Sequence, residues 1–452
     1  MNSLPANNPD WLVKKIIKMG GTISFYDFMN FALNDPINGY YGSGKAELGV
    51  RGDFVTSPSL SDDFAFLVGK QIEDWLIQFK NSFLSNQKLA VIEFGAGDGS
   101  FMSGLIKYFL ENNKSFLEGV SFVIIEPNEG MVEKQKIKLE EFLNLGIDIL
   151  WKGLEEVEEN NINGIVLANE VLDALPVERI TFSKGKLLRQ AVSIDKKSHK
   201  LYFDKMPITS ELRKSIELAT SELGITIPPE DALEGWTTEW HIDNSKWLKA
   251  IYQKINNGIL LIIDYAKEAK KYYTSKNSDG TIVSYENQKM TNNVLDSPGN
   301  CDLTSHVCIE TLINDAETLG FDTVGITKQG EALLALGLAE RLYGIQKEFK
   351  EDLSNALLRR EALLRLVDPV CLGDFKWFVF KKFNEKKMNI NSTCLRYEKN
   401  FKNNESSTSS YISTAPISFG NINLILPSRT FLSPISIVRT SSLFILGISV
   451  GR

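Results

Sequence analysis

The chain has 452 residues, 43% of them hydrophobic and 24% charged, a balance that excludes disordered and fibrous classes and fits one large globular domain or two smaller ones. Its 50 basic and 57 acidic residues give a net charge of −7, a field that repels phosphate backbones and argues against a general nucleic-acid binder. No apolar run approaches the ~20 residues of a membrane-spanning helix, and the opening residues lack a secretory apolar core, so a cytoplasmic location is expected.

Residues 1–85 read as a helical N-terminal segment, and residues 86–385 alternate short apolar strands with amphipathic helices, as parallel-sheet α/β domains do. Strands are expected at Leu89–Phe94, Ser121–Glu126, Ile147–Trp151, Gly164–Ala168, Gly258–Asp264, Asp322–Thr327 and Phe375–Phe383. Phe101, Leu105, Tyr108 and Phe109 recur at helical spacing, which predicts a helix over Phe101–Glu111 lying against the sheet. The alternation breaks at about 181–257 into a hairpin (Leu187–Phe203), a helix (Ser210–Leu223) and a tryptophan-bearing stretch (Gly235–Trp247), which reads as an inserted cap. From Lys386 on the composition changes: that stretch carries +6 against −13 for the rest, and its Ser/Thr/Asn-rich character predicts a weakly ordered tail. The four cysteines, Cys301, Cys308, Cys371 and Cys394, form no CxxC pair. Neither a disulfide framework nor a metal site is expected, and Cys301, His306 and Cys308 lack ligand spacing.

The sharpest chemical signal is Val91–Phe101, a strand that runs through Glu93 into Gly95-Ala96-Gly97-Asp98-Gly99 and opens a helix. Glycines there permit positive φ and close ligand approach, and the helix start offers free N–H groups. A dinucleotide fingerprint would want Gly or Ala where Ser100 stands, which disfavours a nicotinamide oxidoreductase. Glu93, two residues before the first glycine, would repel a pyrophosphate but can receive an ammonium, directly or through water, which suits the amino-acid end of S-adenosylmethionine. The next strand ends in Glu126, an acid placed to bind both ribose hydroxyls. Candidate cofactor residues are therefore Glu93, Gly95, Ala96, Gly97, Gly99 and Glu126.

Past the fourth strand come Asn169, Glu170 and Asp173. In an open α/β sheet, polar residues just beyond a strand end face the ligand crevice. Two carboxylates there can clamp a guanidinium and align one nitrogen with a methyl donor. The plainer alternative is a helix N-cap by Asn169 with acids in the first turn.

Eight strings in order resemble the MidA family: FxxFMNxALNDPxNGYYG (Phe25 to Gly42), RGDFVTSP (Arg51 to Pro58), EFGAGDGSFM (Glu93 to Met102), ANEVLDALPVERI (Ala168 to Ile180), IIDY (Ile262 to Tyr265), PGNCDLTSHV (Pro298 to Val307), TKQGEALLALGL (Thr327 to Leu338) and GDFKWFVF (Gly373 to Phe380). Members of that family are class I S-adenosylmethionine-dependent methyltransferases, and the mitochondrial one assists respiratory complex I assembly by methylating an arginine of a core subunit. The resemblance implies a Rossmann-like seven-strand sheet with helices on both faces, an N-terminal segment and an inserted cap. It further implies a protein substrate of complex I type; no nucleic acid and no membrane span are expected from the charge and the apolar runs, and a homodimer stays open. By the same resemblance Gly52, Asp53 and Thr56 would close over the cofactor, although Thr-Ser-Pro also reads as a plain capped helix entry. The sequence departs from the family at Ala96, Asp98, Ala266 and Thr281–Ser284; the last segment would lie near the acceptor. Asp302 and His306 match its DLTxHV string, with His306 expected as a buried structural histidine. The competing reading is a non-catalytic assembly factor with a vestigial cofactor site.

Overall fold

The protein is described by a computed structural model covering residues 9–397, except 50–51, 196, 349–351 and 385. The expected tail therefore lies, from residue 398 on, outside the described residues.

All seven expected strands form, each with ends within three residues of expectation: β1 (Leu89–Phe94), β2 (Val120–Ile125), β3 (Ile149–Lys152), β4 (Ile162–Asn169), β5 (Ile255–Asp264), β6 (Asp322–Lys328) and β7 (Lys376–Phe383). They build one sheet in the order β3-β2-β1-β4-β5-β7-β6. β1 to β5 are parallel, whereas β7 runs antiparallel between β5 and β6. Chain order reverses between β1 and β4, and their carboxyl ends lie level, Phe94 opposite Ala168. That is the place where an open α/β sheet leaves a crevice for a ligand.

Both faces of the sheet are covered, which is why its strands are continuously apolar instead of alternating. On one face Val91, Phe122, Leu167 and Leu261 pack with Phe64, Leu67, Trp75, Phe101 and Leu105. These belong to helices Asp62–Lys80 and Ser100–Asn112. On the other, Ile92, Val123, Val166 and Leu260 meet Leu248, Ile251, Leu312 and Ala316 of helices Ile242–Lys254 and Ile309–Leu319.

A second, antiparallel sheet holds most of the strands of the expected cap: Thr22–Ser24, Lys186–Ile194, Glu178–Ser183 and Thr237–Trp240 in that order, with Leu201–Met206 paired to Lys186–Ile194. Helix Ser210–Leu223 has the expected limits, opened by Thr209, whose side chain accepts from Leu212 N, and closed by left-handed Gly224.

Three boundaries differ from the sequence reading. Helix Asp62–Lys80 is part of the sheet's own core and not of a separate N-terminal segment, because its apolar side chains pack with those of the strands. Helix Ile242–Lys254 likewise leaves the cap and leads into β5. Finally, packing does not stop at residue 385. Cys394 is fully buried and its N–H donates to Gln71 Oε1 at 2.8 Å, and Trp75 Nε1 donates to Ser392 Oγ at 3.1 Å. Polar composition suggested disorder there, but a few apolar anchors (Met388, Ile390, Leu395) suffice to seat the segment on the core.

Candidate active site

Gly95, Gly97 and Gly99 all have positive φ, at 58°, 55° and 85°. At Gly97 a Cβ would come within 2.6 Å of Leu48 Cδ1. Gly99 is the N-cap of helix Ser100–Asn112, a conformation L-residues avoid. Asp98 turns back on the loop: its carboxylate accepts from Ser100 N at 3.0 Å and Ser100 Oγ at 2.8 Å. The Ser100 that disfavours a dinucleotide thus locks the loop.

Glu93 is 3% exposed, and its Oε2 is buried with no hydrogen-bond partner. Burial, with the charges of Asp98 and Glu126 added, pushes its carboxyl up to about 8, while a bond from the Met102 backbone opposes the shift. An orphaned buried carboxyl at the mouth of a glycine loop is the fit expected for an ammonium guest. Glu126, just past β2, accepts from Asn128 N at 3.0 Å and from Gln135 Nε2 at 2.9 Å. Its carboxyl is raised by burial against those bonds.

Gln135 is a residue the sequence reading missed. Fully buried, it donates from Nε2 both to Glu126 and to Gly97 O at 3.0 Å, and accepts from Trp151 Nε1 at 3.1 Å. It braces the glycine loop against the acid of the next strand. Nothing in a lone helical Gln signals this; its only trace is a polar residue at a core position of helix Glu129–Asn144.

Asn169 ends β4, and no helix follows it: residues 170–177 form an irregular loop, which removes the N-cap alternative. Glu170 sits at φ 55°, an unusual value for a non-glycine residue, with its N–H on Ile263 O at 2.8 Å. Its Oε1 accepts from Ser57 N at 3.2 Å and from Asn169 Nδ2 at 3.0 Å. Burial lifts this carboxyl to about 8, against those two bonds and aided by Asp264 and Asp302. Asp173 is 3% exposed, and Asp173 Oδ1 and Asn169 Oδ1 are both buried without a partner. Burial and then the charges of Asp264, Asp302 and Glu170 hold Asp173 well above the carboxylate range.

Asp264, at the end of β5, accepts from Leu172 N at 2.8 Å, Asp173 N at 3.3 Å and Tyr265 N at 2.8 Å. It shapes the loop that carries Asp173, a role the IIDY string did not disclose. Burial raises it to about 7 despite these bonds. His306 is pushed down to about 3, first by burial and then by Lys267, His241 and Lys376, so it is neutral at physiological pH. Its backbone N–H donates to Thr281 Oγ1 at 3.0 Å, and the divergent Thr281–Ser284 segment lies beside the Asp302–Thr304 strand.

The N-terminal trio Gly52, Asp53 and Thr56 makes contacts of its own. Thr56 caps helix Ser57–Leu60 in a reciprocal box with Ser59, the plain reading of Thr-Ser-Pro. Asp53 holds Tyr40 OH at 2.7 Å and Asn287 N at 2.9 Å, and a Cβ on Gly52 would sit 2.1 Å from Glu47 O. The Asp53 and Thr56 side chains thus bond within the N-terminal segment and to residue 287. The segment reaches the strand ends through other groups, Leu48 against Gly97 and Ser57 N against Glu170.

A family model for S-adenosyl-L-methionine-dependent methyltransferases matches residues 67–327, more than half of the chain and spanning β1 to β6. The chain belongs to this family. It is an S-adenosylmethionine-dependent methyltransferase, and its sheet has that family's α/β architecture. Among similar proteins is the human "Protein arginine methyltransferase NDUFAF7, mitochondrial", 26% identical over 408 residues, 83% of this chain and 84% of that one. The Caenorhabditis elegans homolog of the same name is 24% identical over 396 residues, covering 82% and 86%. A crystal structure from Burkholderia thailandensis, bound to S-adenosyl-homocysteine, superposes with a TM-score of 0.72 at 25% identity, covering 88% of this chain and 98% of that one.

These relatives overturn the cytoplasmic expectation, since their names place them in mitochondria. The lack of a secretory apolar core has no bearing on import into mitochondria, which does not use one. Among the described residues no helix is long and apolar enough to cross a membrane.

Proposed function

We propose that this methyltransferase acts on an arginine side chain of a protein, a subunit of respiratory complex I type, and that it does so in mitochondria. The observation that carries the reading is the pair of orphaned carboxyl oxygens, one on Glu93 at the glycine loop and one on Asp173 beyond β4. A cation at each would repair both deficits. The relatives named protein arginine methyltransferase support the same acceptor chemistry.

In this reading Glu93 receives the cofactor's ammonium, Glu126 its ribose hydroxyls, and the backbone of Gly95, Ala96, Gly97 and Gly99 lines its amino-acid end. When bound, S-adenosylmethionine supplies a sulfonium methyl group that needs no acid to leave. What remains for the chain is alignment and removal of one proton. Glu170 and Asp173 hold the guanidinium by charge-assisted hydrogen bonds, with Asn169 Oδ1 as a further acceptor. Burial lifts the Glu170 carboxyl to about 8, so binding of the cation displaces its own proton to solvent, and the carboxylate so formed takes the guanidinium proton as the new bond forms.

The test is mass spectrometry of complex I core subunits from cells with and without this protein. Loss of methylation at one arginine on deletion, restored by wild type but not by Glu93→Gln, is the expected outcome. Unchanged arginine methylation in the deletion strain refutes the acceptor assignment.

A further inference from the structure

Asp302 has so far been assigned no part in the reaction, although the sequence marks it within the DLTxHV string. It opens the strand Asp302–Thr304, paired antiparallel with Val283–Glu286 so that it stands opposite Tyr285. It is 1% exposed. Its Oδ1 accepts from Leu303 N at 2.9 Å and from the hydroxyl of Tyr41 at 2.9 Å. Tyr41 comes from the N-terminal segment, so a group 261 residues away in sequence fixes the direction of this carboxylate. The strand is also pinned to the acceptor loop, because Ser305 N donates to Asp173 O at 3.0 Å.

The charges that act on Asp173 are those of Asp264, Asp302 and Glu170, all acidic. Backbone contacts join these segments at the acceptor loop, Ser305 N to Asp173 O at 3.0 Å and Asp173 N to Asp264 at 3.3 Å, and Asp173 Oδ1 is buried there without a partner. Buried carboxyls of one sign either keep their protons or take in a cation. Of the four, Asp264 is occupied by three backbone N–H groups of the Leu172–Asp173 and Tyr265 turns. At Asp302 the bonds from Tyr41 and from Leu303 N both fall on Oδ1.

We infer that Asp302, aimed by Tyr41, joins Asp173 as a carboxylate against the acceptor's cation, and that this pair selects a forked guanidinium over a single ammonium. The inference rests on the cationic-acceptor reading above. Two carboxylates match the planar donor fork of arginine, whereas a lysine ammonium satisfies only one of them well. Tyr41 is a positioning residue, since it acts through Asp302.

The experiment is an NMR titration of the full chain, saturated with S-adenosylhomocysteine, with N-acetylarginine amide, N-acetyllysine amide and the neutral isostere N-acetylcitrulline amide. Wild type should bind the arginine amide at least tenfold more tightly than the other two. Asp302→Asn should weaken arginine binding tenfold or more and erase the preference over lysine, with affinity for S-adenosylhomocysteine within twofold of wild type. Binding should strengthen as pH rises through about 7, where Asp302 loses its proton. The groups facing Asp302 are Tyr40 and Tyr41 of the N-terminal segment, Asp53, Tyr285 across the hairpin, Cys301 beside it, and Glu170 and Asp173 from the β4 loop. Tyr41→Phe removes a bond that favours the ionised form, so it should move that midpoint upward while the fold persists. Arginine binding unchanged in Asp302→Asn, or an unmoved midpoint in Tyr41→Phe, overturns the role of Asp302 and leaves the acceptor reading standing. Wild type that binds S-adenosylhomocysteine but treats arginine and citrulline amides alike defeats the cationic-acceptor reading, and this inference with it.

Discussion

The backbone N–H of Ser57 donates to Glu170 Oε1 across 3.2 Å, joining residues 113 positions apart. The donor is the first residue of a short helix entered through Thr56, and the acceptor is a left-handed residue just beyond the central strand. Glu170 is thereby held from two sides, by Ser57 N and by Asn169 Nδ2, at the crevice end of the sheet.

From this follows the expected behaviour of Glu170→Gln. The amide keeps an oxygen for Ser57 N but loses both the charge that pairs a guanidinium and the capacity to take its proton. Methyl transfer should fall by about 10²-fold while S-adenosylhomocysteine affinity is retained. Single-turnover transfer from labelled S-adenosylmethionine, with binding determined separately, checks it. Equal loss of binding and turnover would move Glu170 into the cofactor site.

Glu126→Ala should weaken cofactor binding by about 1.5–3 kcal/mol for each charge-assisted bond lost. Gln135→Leu should weaken it as well without touching the cofactor, because both Glu126 and Gly97 O lose their brace. Calorimetric titration with S-adenosylhomocysteine measures both. A change under threefold in Glu126→Ala would mean that the ribose is held elsewhere.

Gly97→Val is expected to abolish cofactor binding without unfolding the protein. The positive φ of 55° strains any L side chain, and a Cβ would displace the Leu48 side chain that lies over the loop. Unchanged S-adenosylhomocysteine affinity in a folded variant would sink the assignment of this loop.

The raised carboxyls make stability depend on pH in a stated direction. Burial puts Glu93 and Glu170 at about 8 and Asp264 and Asp302 at about 7, each above its unfolded value of about 4. Between those limits the folded state binds more protons than the unfolded state, so stability is complete below about pH 4 as far as these groups decide it, and is lost as pH rises through 7 to 8. The melting temperature of the cofactor-free protein should therefore fall from pH 6 to pH 9, and fall less when S-adenosylhomocysteine brings an ammonium to Glu93. A flat or rising profile without cofactor contradicts the burial of these groups.

Truncation should separate the packed part of the C-terminal stretch from the rest. Ending the chain after Glu385 removes Cys394 and strips partners from Gln71 and Trp75, so the melting temperature should drop by several degrees. Ending it after Tyr397 keeps those contacts and should leave melting temperature and cofactor affinity unchanged. Equal melting temperatures for the two truncations would show that residues 386–397 add nothing to the fold.

Apolar runs bounded by glycine and polar residues marked all seven strands in the sequence, because a strand buried on both faces needs side chains that water rejects at every position. The glycine loop with Glu93 was equally legible, since positive φ and a strand-to-helix turn are local demands that a few neighbouring residues meet by themselves. The contacts that Gln135, Asp264, Asp302 and Tyr41 make were not legible in the sequence. Each acquires its role from a partner far along the chain, and a lone Gln, Asp or Tyr carries no local sign of such a partner. The misplaced boundaries have the same origin: helices Asp62–Lys80 and Ile242–Lys254 are amphipathic in sequence, but which apolar surface each covers is settled only when the sheet exists. The sequence alone thus determined the strands, the loop and the cofactor class through local patterning. The tertiary structure decided which buried carboxyls share one place, because only chain closure sets the burial and mutual repulsion that change their chemistry.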